Sequence, residues 1–279
     1  MTYRSLLVHL GSDPLCAART QAALTLAKDL DCHLVGVAPT GLVYLPASPE
    51  APMPLLDYAD LAMNALREQA GRALQRFRDD CAAAGLRSYE GVIDEAEPAA
   101  SLVRHAHCSD LTVLSQANPD ASNHRVAQEL LEQVVLHSAR PTLILPYAGR
   151  AASIGQHALV AWDDSREAAR ALSDALPLLR RAAQVHVVQW NEAGDDERGL
   201  HARLEALAKW LLWQGVAAEM QIESSGIGIA EALLSRASDL SIDLIVMGAY
   251  GHTRWTERML GGATRGLLAS MTVPVLMSH

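Results

Sequence analysis

Two copies of one pattern make up this chain of 279 residues, and the repeat constrains its fold more than any other feature. Each copy opens with a strand-like apolar run, a short polar loop and the tripeptide Ala-Ala-Arg. Later in each copy an Asp-Leu pair precedes an apolar run, and a proline follows 31 positions after the aspartate. Because the two copies agree in residue types and spacing at both of their ends, the sequence predicts two domains of the same fold. The landmarks are Ala17-Ala18-Arg19, Asp110 and Pro141 in the first copy, and Ala168-Ala169-Arg170, Asp243 and Pro274 in the second.

Strands and helices are predicted to alternate in both copies. The strands are short, nearly continuous apolar runs, which is typical of parallel strands covered on both faces. Right-handed crossovers then give a doubly wound α/β domain. The sequence therefore predicts two tandem, Rossmann-like domains with five-stranded parallel sheets, packed as a pseudo-dimer. In the second copy we predict strands at 157–162, 185–190, 217–223, 243–247 and 273–277, and helices at 166–181, 199–214, 229–239 and 263–271.

The domain boundaries follow from the repeat, with a first domain at 1–147 and a second at 156–279. The first copy is longer, and its extra residues fall in the segment 39–60, which contains five prolines. Such a segment predicts a loop or short lid and not a helix, either as a disordered insertion or as a functional element. The last strands, at 142–145 and 273–277, are the natural edges for pairing between chains, and the sequence leaves open whether a homodimer forms.

Composition narrows the class of protein. A formal net charge of −9 argues against nucleic acid or an anionic membrane as the main partner. The longest apolar runs fall well short of the roughly 20 residues that span a bilayer, and the start reads as a first strand and not a signal peptide. The four cysteines lack CxxC spacing, which favours a cytoplasmic protein over a disulfide or zinc framework. His105 and His107 are the closest histidine pair, and we predict no metal site.

A glycine pattern follows the apolar run that ends at Met247. Gly248 and Gly251 come first, and the pair Gly261-Gly262 follows nine residues later, just before a predicted helix. Glycines there let backbone N–H groups approach a ligand, and the helix N-terminus adds partial positive charge, which together predict a phosphate cradle. A cluster of basic residues suits a small anionic ligand, although a solvated loop of mixed charge is the alternative. The cluster comprises His252, Arg254, Arg258 and Arg265, with Glu257 as the one acidic residue among them.

With these residues the chain resembles the universal stress protein family in its tandem two-domain form. The family's nucleotide signature, G-x2-G-x9-G-[S/T], reads here as Gly248 and Gly251, nine residues, and Gly261-Gly262. The segment 161–168 is similar to the family's first strand and loop. The resemblance implies ATP, or ADP or AMP, with or without Mg²⁺. At Gly262 the family usually has Ser or Thr, so one hydroxyl donor is lost and the choice among the three nucleotides stays open.

The resemblance also assigns roles to individual residues. Asp163, at the end of the first strand, would contact the ribose or the adenine amine, with a helix N-cap as the alternative. Gln189 or Trp190, at the end of the second strand, would line the adenine, although Trp190 is otherwise a core aromatic. Met247 would lie beneath the base or ribose, with a core position as the alternative. The residues implied around the phosphates are Gly248, Gly251, Gly261, Gly262 and Thr264.

The first copy lacks this glycine pattern, because it reads Ser-Gln-Ala-Asn-Pro-Asp over 115–120. We interpret it as a copy that has lost the cradle and packs against the second as a built-in partner. The sequence therefore predicts an adenine-nucleotide-binding protein of stress response or signalling, not an enzyme, with no catalytic residue assigned. A slow Mg²⁺-dependent ATPase is the runner-up, although the chain has no Gly-Lys-[Ser/Thr] loop and no evident base. A tandem scaffold that binds no nucleotide is the third reading.

Overall fold

A computed structural model describes residues 2–41, 55–148, 153–191, 197–224, 228–251 and 262–279. Strands and helices alternate through them. The first half contains β1 (Ser5–His9), α1 (Cys16–Leu30), β2 (His33–Pro39), α2 (Leu55–Ala83), β3 (Tyr89–Asp94), α3 (Pro98–Ala106), β4 (Leu111–Ser115), α4 (His124–His137) and β5 (Thr142–Leu145). The second half contains β6 (His157–Trp162), α5 (Arg166–Leu179), β7 (Gln184–Asn191), α6 (Glu197–Trp213), β8 (Glu219–Ser224), α7 (Ile229–Asp239), β9 (Leu244–Gly248), α8 (Gly262–Ser270) and β10 (Val275–Ser278).

The strands of the described residues form one continuous sheet in the order β3-β2-β1-β4-β5-β10-β9-β6-β7-β8. Neighbouring strands are parallel within each half, and β5 and β10 pair antiparallel at the centre, with Leu143 opposite Leu276. Each half is thus a doubly wound domain with a five-stranded parallel sheet, which confirms the predicted fold class. The two edges that the sequence offered for pairing between chains are joined to each other inside this one.

Helices cover both faces of the sheet and bury two hydrophobic cores. Alternate strand residues point to opposite faces, so Val160 lies in one core and its neighbour Leu159 in the other. Helices α1, α2, α5 and α6 contribute to the first core, and α3, α4, α7 and α8 to the second. Strands buried on both sides explain why the sequence shows continuous apolar runs and not an alternating pattern.

The repeated Asp-Leu pair has a structural cause. Asp110 precedes β4, and its Oδ2 accepts a hydrogen bond of 3.0 Å from the backbone N of Ser5, at the start of β1. Asp243 precedes β9, and its Oδ1 accepts bonds from the backbone N of Gly155 at 3.0 Å and of His157 at 2.9 Å. Each aspartate therefore ties the start of one central strand to the start of its neighbour and satisfies backbone donors there.

The segment 39–60 differs in part from the sequence prediction. Pro39 belongs to β2, and α2 begins at Leu55, directly after the last proline of the segment, so the loop prediction was wrong from Leu55 onward. Residues 42–54 lie outside the described residues. The physical reason is that proline is compatible with the start of a helix, where the N–H it lacks would have no intrahelical partner.

Side-chain hydrogen bonds also tie the two halves together. The hydroxyl of Tyr3, which is 5% exposed, donates to the backbone O of Asp174 in α5 at 2.6 Å. The buried amide of Gln116 donates from Nε2 to the backbone O of Leu268 in α8 at 2.8 Å. These bonds flank the β5–β10 pair, so the halves are held by side chains as well as by the sheet.

We expect Tyr3→Phe to lower the free energy of unfolding by about 1 kcal/mol, because it removes one buried hydrogen bond and leaves the ring in place. Chemical denaturation in urea measures the loss. Tyr89→Phe is the matched control, since its ring packs edge-on against Phe77 and its hydroxyl bonds to none of the described residues. Equal losses in the two variants would contradict the assigned bond.

Candidate functional site

The candidate site lies at the carboxyl ends of β6 and β9, where the strand order of the second half reverses. Strand β6 pairs with β7 on one side and β9 on the other, and ligands of doubly wound sheets bind in the crevice at such a point. Ala161 pairs with Met247, and Trp162 with Gln189. One residue farther along their strands, Asp163 and Trp190 therefore lie at the same level.

Strand pleating puts the two candidates at the end of β7, Gln189 and Trp190, on opposite faces of the sheet. Trp190 is partly buried and packs against the core cluster that also contains Met247. Gln189 alternates to the opposite face, where it pairs with buried Trp162 and is itself 6% exposed. Of the two alternatives, Trp190 thus shares a face with Met247, and Met247 is both a core residue and the last side chain before the glycine turn.

The loop after β6 is fixed by its own side chains. The Oδ1 atom of Asp163 accepts bonds from Ser165, at 3.0 Å from its backbone N and 2.5 Å from its Oγ. Ser165 is the N-cap of α5, because its Oγ accepts from the backbone N of Ala168 at 3.1 Å. The alternative role predicted for Asp163, the N-cap of α5, is therefore filled by Ser165. Asp163 is exposed, and its Oδ2 accepts no bond from the residues that the structure describes.

The two described glycines of the turn contact α5. A Cβ atom placed on Gly248 would lie 2.6 Å from the backbone N of Ala168 and 2.7 Å from the carbonyl C of Glu167. Glycine is therefore required at 248 by the close approach of β9 to α5, with or without a ligand. At Gly251 such a Cβ would meet the Oε2 atom of Glu167 at 3.1 Å.

Thr264 connects the turn to α8. Its side chain is buried, and its Oγ1 accepts a hydrogen bond of 3.3 Å from the backbone N of Tyr250, a residue in the left-handed region at φ 55°. The hydroxyl proposed for a phosphate thus also stabilises the turn. Gly262 is the first residue of α8, whereas Gly261 lies outside the described residues.

Of the predicted basic cluster, Arg265 is described. Its Nε lies 3.8 Å from the Oε1 of Glu132, a residue of α4 in the first half. The other three members, His252, Arg254 and Arg258, fall in the segment outside the described residues.

Glu167 is the residue at this site that the sequence analysis missed. Its side chain is 5% exposed and pairs with Arg166. Burial raises the pKa of this carboxyl, but the Arg166 guanidinium, a backbone N–H and the charge of His279 outweigh burial, so the pKa falls below its ordinary value. The carboxylate is therefore ionised beside the glycine turn. Its place in the first turn of α5, two residues after the cap, was the available signal.

Comparison with known proteins identifies the second half. Residues 155–279 match the universal stress protein family. A universal stress protein of Synechocystis is 27% identical over 148 residues, which are 52% of this chain and 49% of that protein, so the match spans about half of this relative. The second half of the chain belongs to the universal stress protein family.

The fold of the whole chain is similar to that of solved universal stress proteins. One from Archaeoglobus fulgidus superposes with a TM-score of 0.72 at 19% identity, over 98% of this chain and 95% of the other. A Pseudomonas aeruginosa protein attributed to the same family gives 0.60 at 16% identity, over 99% and 93%. At such identities the likeness concerns the fold alone.

The first half of the chain fills the equivalent crevice with its own side chains. Arg19, whose side chain is 2% exposed, donates from Nε to the backbone O of His9 at 2.8 Å and from Nη1 to the Oγ of Ser115 at 2.8 Å. Its Nη2 lies 2.9 Å from the Oδ2 of Asp13. These partners are the ends of β1 and β4 and the loop after β1, which together form the switch point of that half.

The charge states of the neighbouring groups favour the buried position of Arg19. Burial raises the pKa of Asp13, but Arg19 outweighs it and holds that pKa below the ordinary value. Burial and the charge of Arg19 lower the pKa of His9 to about 3, so its imidazole is neutral at pH 7. Arg170 occupies the matching place in the repeat, yet its side chain is 44% exposed and pairs with Asp174 in its own helix.

The described residues contain neither a cluster of metal ligands nor a helix suited to crossing a membrane. Among those residues, no group of three or more His, Cys, Asp or Glu side chains is placed to hold a metal ion. Over the same residues, no helix combines the length and apolarity that crossing a membrane requires.

We expect Gly248→Ala to lower the free energy of unfolding by about 1–3 kcal/mol, because the added methyl overlaps backbone atoms of α5 that cannot move aside cheaply. Thermal or urea denaturation measures it. Gly71→Ala in α2 is the control: its Cβ meets no atom within 4 Å, so helix propensity should make it more stable by roughly 0.5–1 kcal/mol. Unchanged stability in Gly248→Ala would disprove the close contact.

We expect Arg19→Leu to cost about 3 kcal/mol of unfolding free energy, because it leaves Asp13 ionised without its buried partner. Arg170→Leu, at the matching place in the repeat, should cost about 1 kcal/mol or less, as an exposed ion pair does. Urea denaturation of both variants makes the comparison. Similar costs would show that the two arginines are equivalent, contrary to the structure.

Proposed function

We propose that this chain is a cytoplasmic protein of stress response or signalling that binds one adenine nucleotide in its second half. The observation that carries the proposal is the convergence, at one switch point, of Asp163, Trp190, Met247 and the turn from Gly248 to Gly251. The ends of three strands, β6, β7 and β9, contribute these groups. Membership of the second half in the universal stress protein family supports the same assignment.

The adenosine part fits the strand ends. The partly buried indole of Trp190 shares a face with Met247, and the two offer an apolar surface against which a purine ring can pack. Asp163 lies one strand away at the same level, and its Oδ2 is available to accept a ribose hydroxyl or the adenine amine. An apolar floor with a few placed polar groups is the usual composition of a small-molecule site.

The phosphate part fits the turn and α8. Backbone N–H groups around Gly251 and at the start of α8, near Gly262, are donors suited to an anion, and the helix dipole favours negative charge there. Thr264 holds these two segments together through Tyr250. Magnesium would bind to the phosphates together with water, since the described residues form no cluster of metal ligands.

In this proposal the first half is a structural partner that binds no nucleotide. Its crevice contains Arg19, whose guanidinium already bonds to three groups. Its strand β4 ends in Ser115, where the second half has Gly248. The antiparallel β5–β10 pair lets this half serve as the second domain of an intramolecular pair.

Calorimetric titration of nucleotide-stripped protein with ATP, ADP and AMP, each with Mg²⁺, tests the proposal. We expect one site per chain, and we expect Gly251→Val to weaken binding by more than about tenfold, or ~1.4 kcal/mol, because the added side chain intrudes on the turn. Asn118→Val, at the matching place in the first half, is the control and should leave binding unchanged.

Each other outcome selects a different function. Two sites per chain would contradict the structural assignment of the first half. Binding of none of the three nucleotides would favour the tandem scaffold. Release of phosphate from ATP that requires Mg²⁺ and is lost in Gly251→Val would make the protein a slow ATPase, whereas we expect only background release.

A further inference from the structure

The geometry points to the end of α6 as a docking surface for an acidic, amphipathic helix of a partner protein. The surface comprises Leu212, Trp213, Lys209 and Arg180, and we call it the α6 surface. It lies near the amino end of β8, which begins at Glu219, whereas the candidate nucleotide site lies at the carboxyl ends of the strands. The two places are therefore separate, and docking at the α6 surface does not require a bound nucleotide.

An exposed apolar pair forms the centre of this surface. Trp213 is 80% exposed and Leu212 is 62% exposed, whereas Leu211, directly before them, is fully buried in the core. Single apolar residues on a surface are common, but a tryptophan and a leucine side by side in solvent form a patch of the kind that marks an interaction site. Tryptophan is also the residue type that most often carries binding energy at protein interfaces.

The repeat shows that the fold does not require this apolar pair. A glycine in the left-handed region follows each of the helices α2 and α6, Gly85 with φ 68° and Gly215 with φ 79°. The backbone N of each glycine donates to the carbonyl O three residues earlier, at 3.0 Å in both halves. Counted from this glycine, the residues at the place of the apolar pair in the first half are Ala82 and Ala83, both exposed. Alanine is therefore sufficient there, and the larger side chains of the second half do not serve the core.

Positive charges flank the pair. Lys209 lies one turn before Trp213, is exposed, and forms no ion pair with the residues that the structure describes. Arg180 of α5 donates from Nε to the backbone O of Gln214 at 2.6 Å and from Nη2 to its Oε1 at 3.1 Å. These bonds place the guanidinium beside the residue that follows Trp213, and a neutral amide does not cancel its charge.

The matching places in the first half carry the opposite charge. Lys209 precedes its glycine by six residues, and Asp79 precedes the glycine of the first half by the same number. Arg180 follows the Ala-Ala-Arg tripeptide of its half by ten residues, as Asp29 does in the first half. Apolar size and positive charge thus occur together in one half and are both missing from the other.

Acidic side chains of the second half lie farther out. Along α6, Lys209 lies between Glu205 and Trp213. Glu219 lies on the opposite face of the sheet, where its Oε2 is 3.4 Å from the Nδ1 of His186. The α6 surface is therefore an apolar centre with cations at its sides, which complements a helix whose apolar stripe is flanked by Asp or Glu. The net charge of −9 opposes contact with an extended anionic membrane, so we assign the surface to a protein partner.

Fluorescence anisotropy of the full chain with two labelled synthetic peptides tests the assignment. One peptide has Leu at helical spacing and Glu at its other positions, and the second has Lys in place of Glu. We expect the Glu peptide to bind the wild type and to bind Trp213→Ala roughly 10 to 100 times more weakly. The variant carries the residue of the first half, so its folding should be retained, and urea denaturation checks this. Val126→Ala, 46% exposed on α4, is the matched control and should leave the affinity unchanged.

The flanking charge has its own test. We expect Lys209→Glu to weaken the Glu peptide roughly 3 to 10 times, because one attraction is replaced by a repulsion at the side of the surface. Arg76→Glu, an exposed position on α2, makes the same change in net charge and should not alter the affinity.

Several results would overturn the proposal. Absence of binding of the Glu peptide, or equal binding by the wild type and Trp213→Ala, would show that the α6 surface does not dock such a helix. Stronger binding of the Lys peptide that depends on Trp213 would contradict the acidic character of the partner. Retention on phosphatidylserine vesicles that Trp213→Ala abolishes would make the occupant a lipid surface. A rise of mass with concentration in sedimentation, lost in the same variant, would make it a second copy of this chain.

Discussion

The antiparallel pairing of β5 with β10 is the interaction on which the rest of the structure depends. A five-stranded parallel sheet ends in an exposed strand whose unpaired backbone groups favour association. By pairing its two such strands with each other, the chain satisfies both edges at once and builds one ten-stranded sheet. Around this central pair, Gln116 bonds to the backbone of Leu268 in α8, and Arg265 of α8 lies beside Glu132 of α4.

The two halves have the same fold but differ at the carboxyl ends of their central strands. In the first, the carboxyl ends of β1 and β4 are joined by the buried guanidinium of Arg19, so the polar ends of the strands are satisfied within the protein. In the second, a glycine turn occupies that place beside the ionised carboxylate of Glu167. One half is thus closed by an internal ion pair, and the other keeps backbone donors near a negative charge.

Much of the fold was predictable because the repeat and the apolar runs record it directly. In the second copy each predicted helix and strand begins and ends within two residues of the observed one. The segment after Pro39 was less predictable, since prolines exclude a helix interior but not a helix start, and α2 begins at Leu55. For the candidate site, the sequence indicated Asp163, Trp190, Met247 and the glycines, and it missed Glu167, which has no motif of its own.

The sequence by itself determined the number of repeats, the alternation of strands and helices, and the place of the glycine turn, because these depend on residues close together along the chain. The tertiary structure alone decided which way equivalent side chains point. Arg19 is buried and Arg170 is exposed, although both follow the same Ala-Ala pair. It also decided that Gly248 is required by α5 and that the last strands pair within the chain. These outcomes depend on contacts between residues that are far apart along the chain. The local sequence pattern does not encode such contacts.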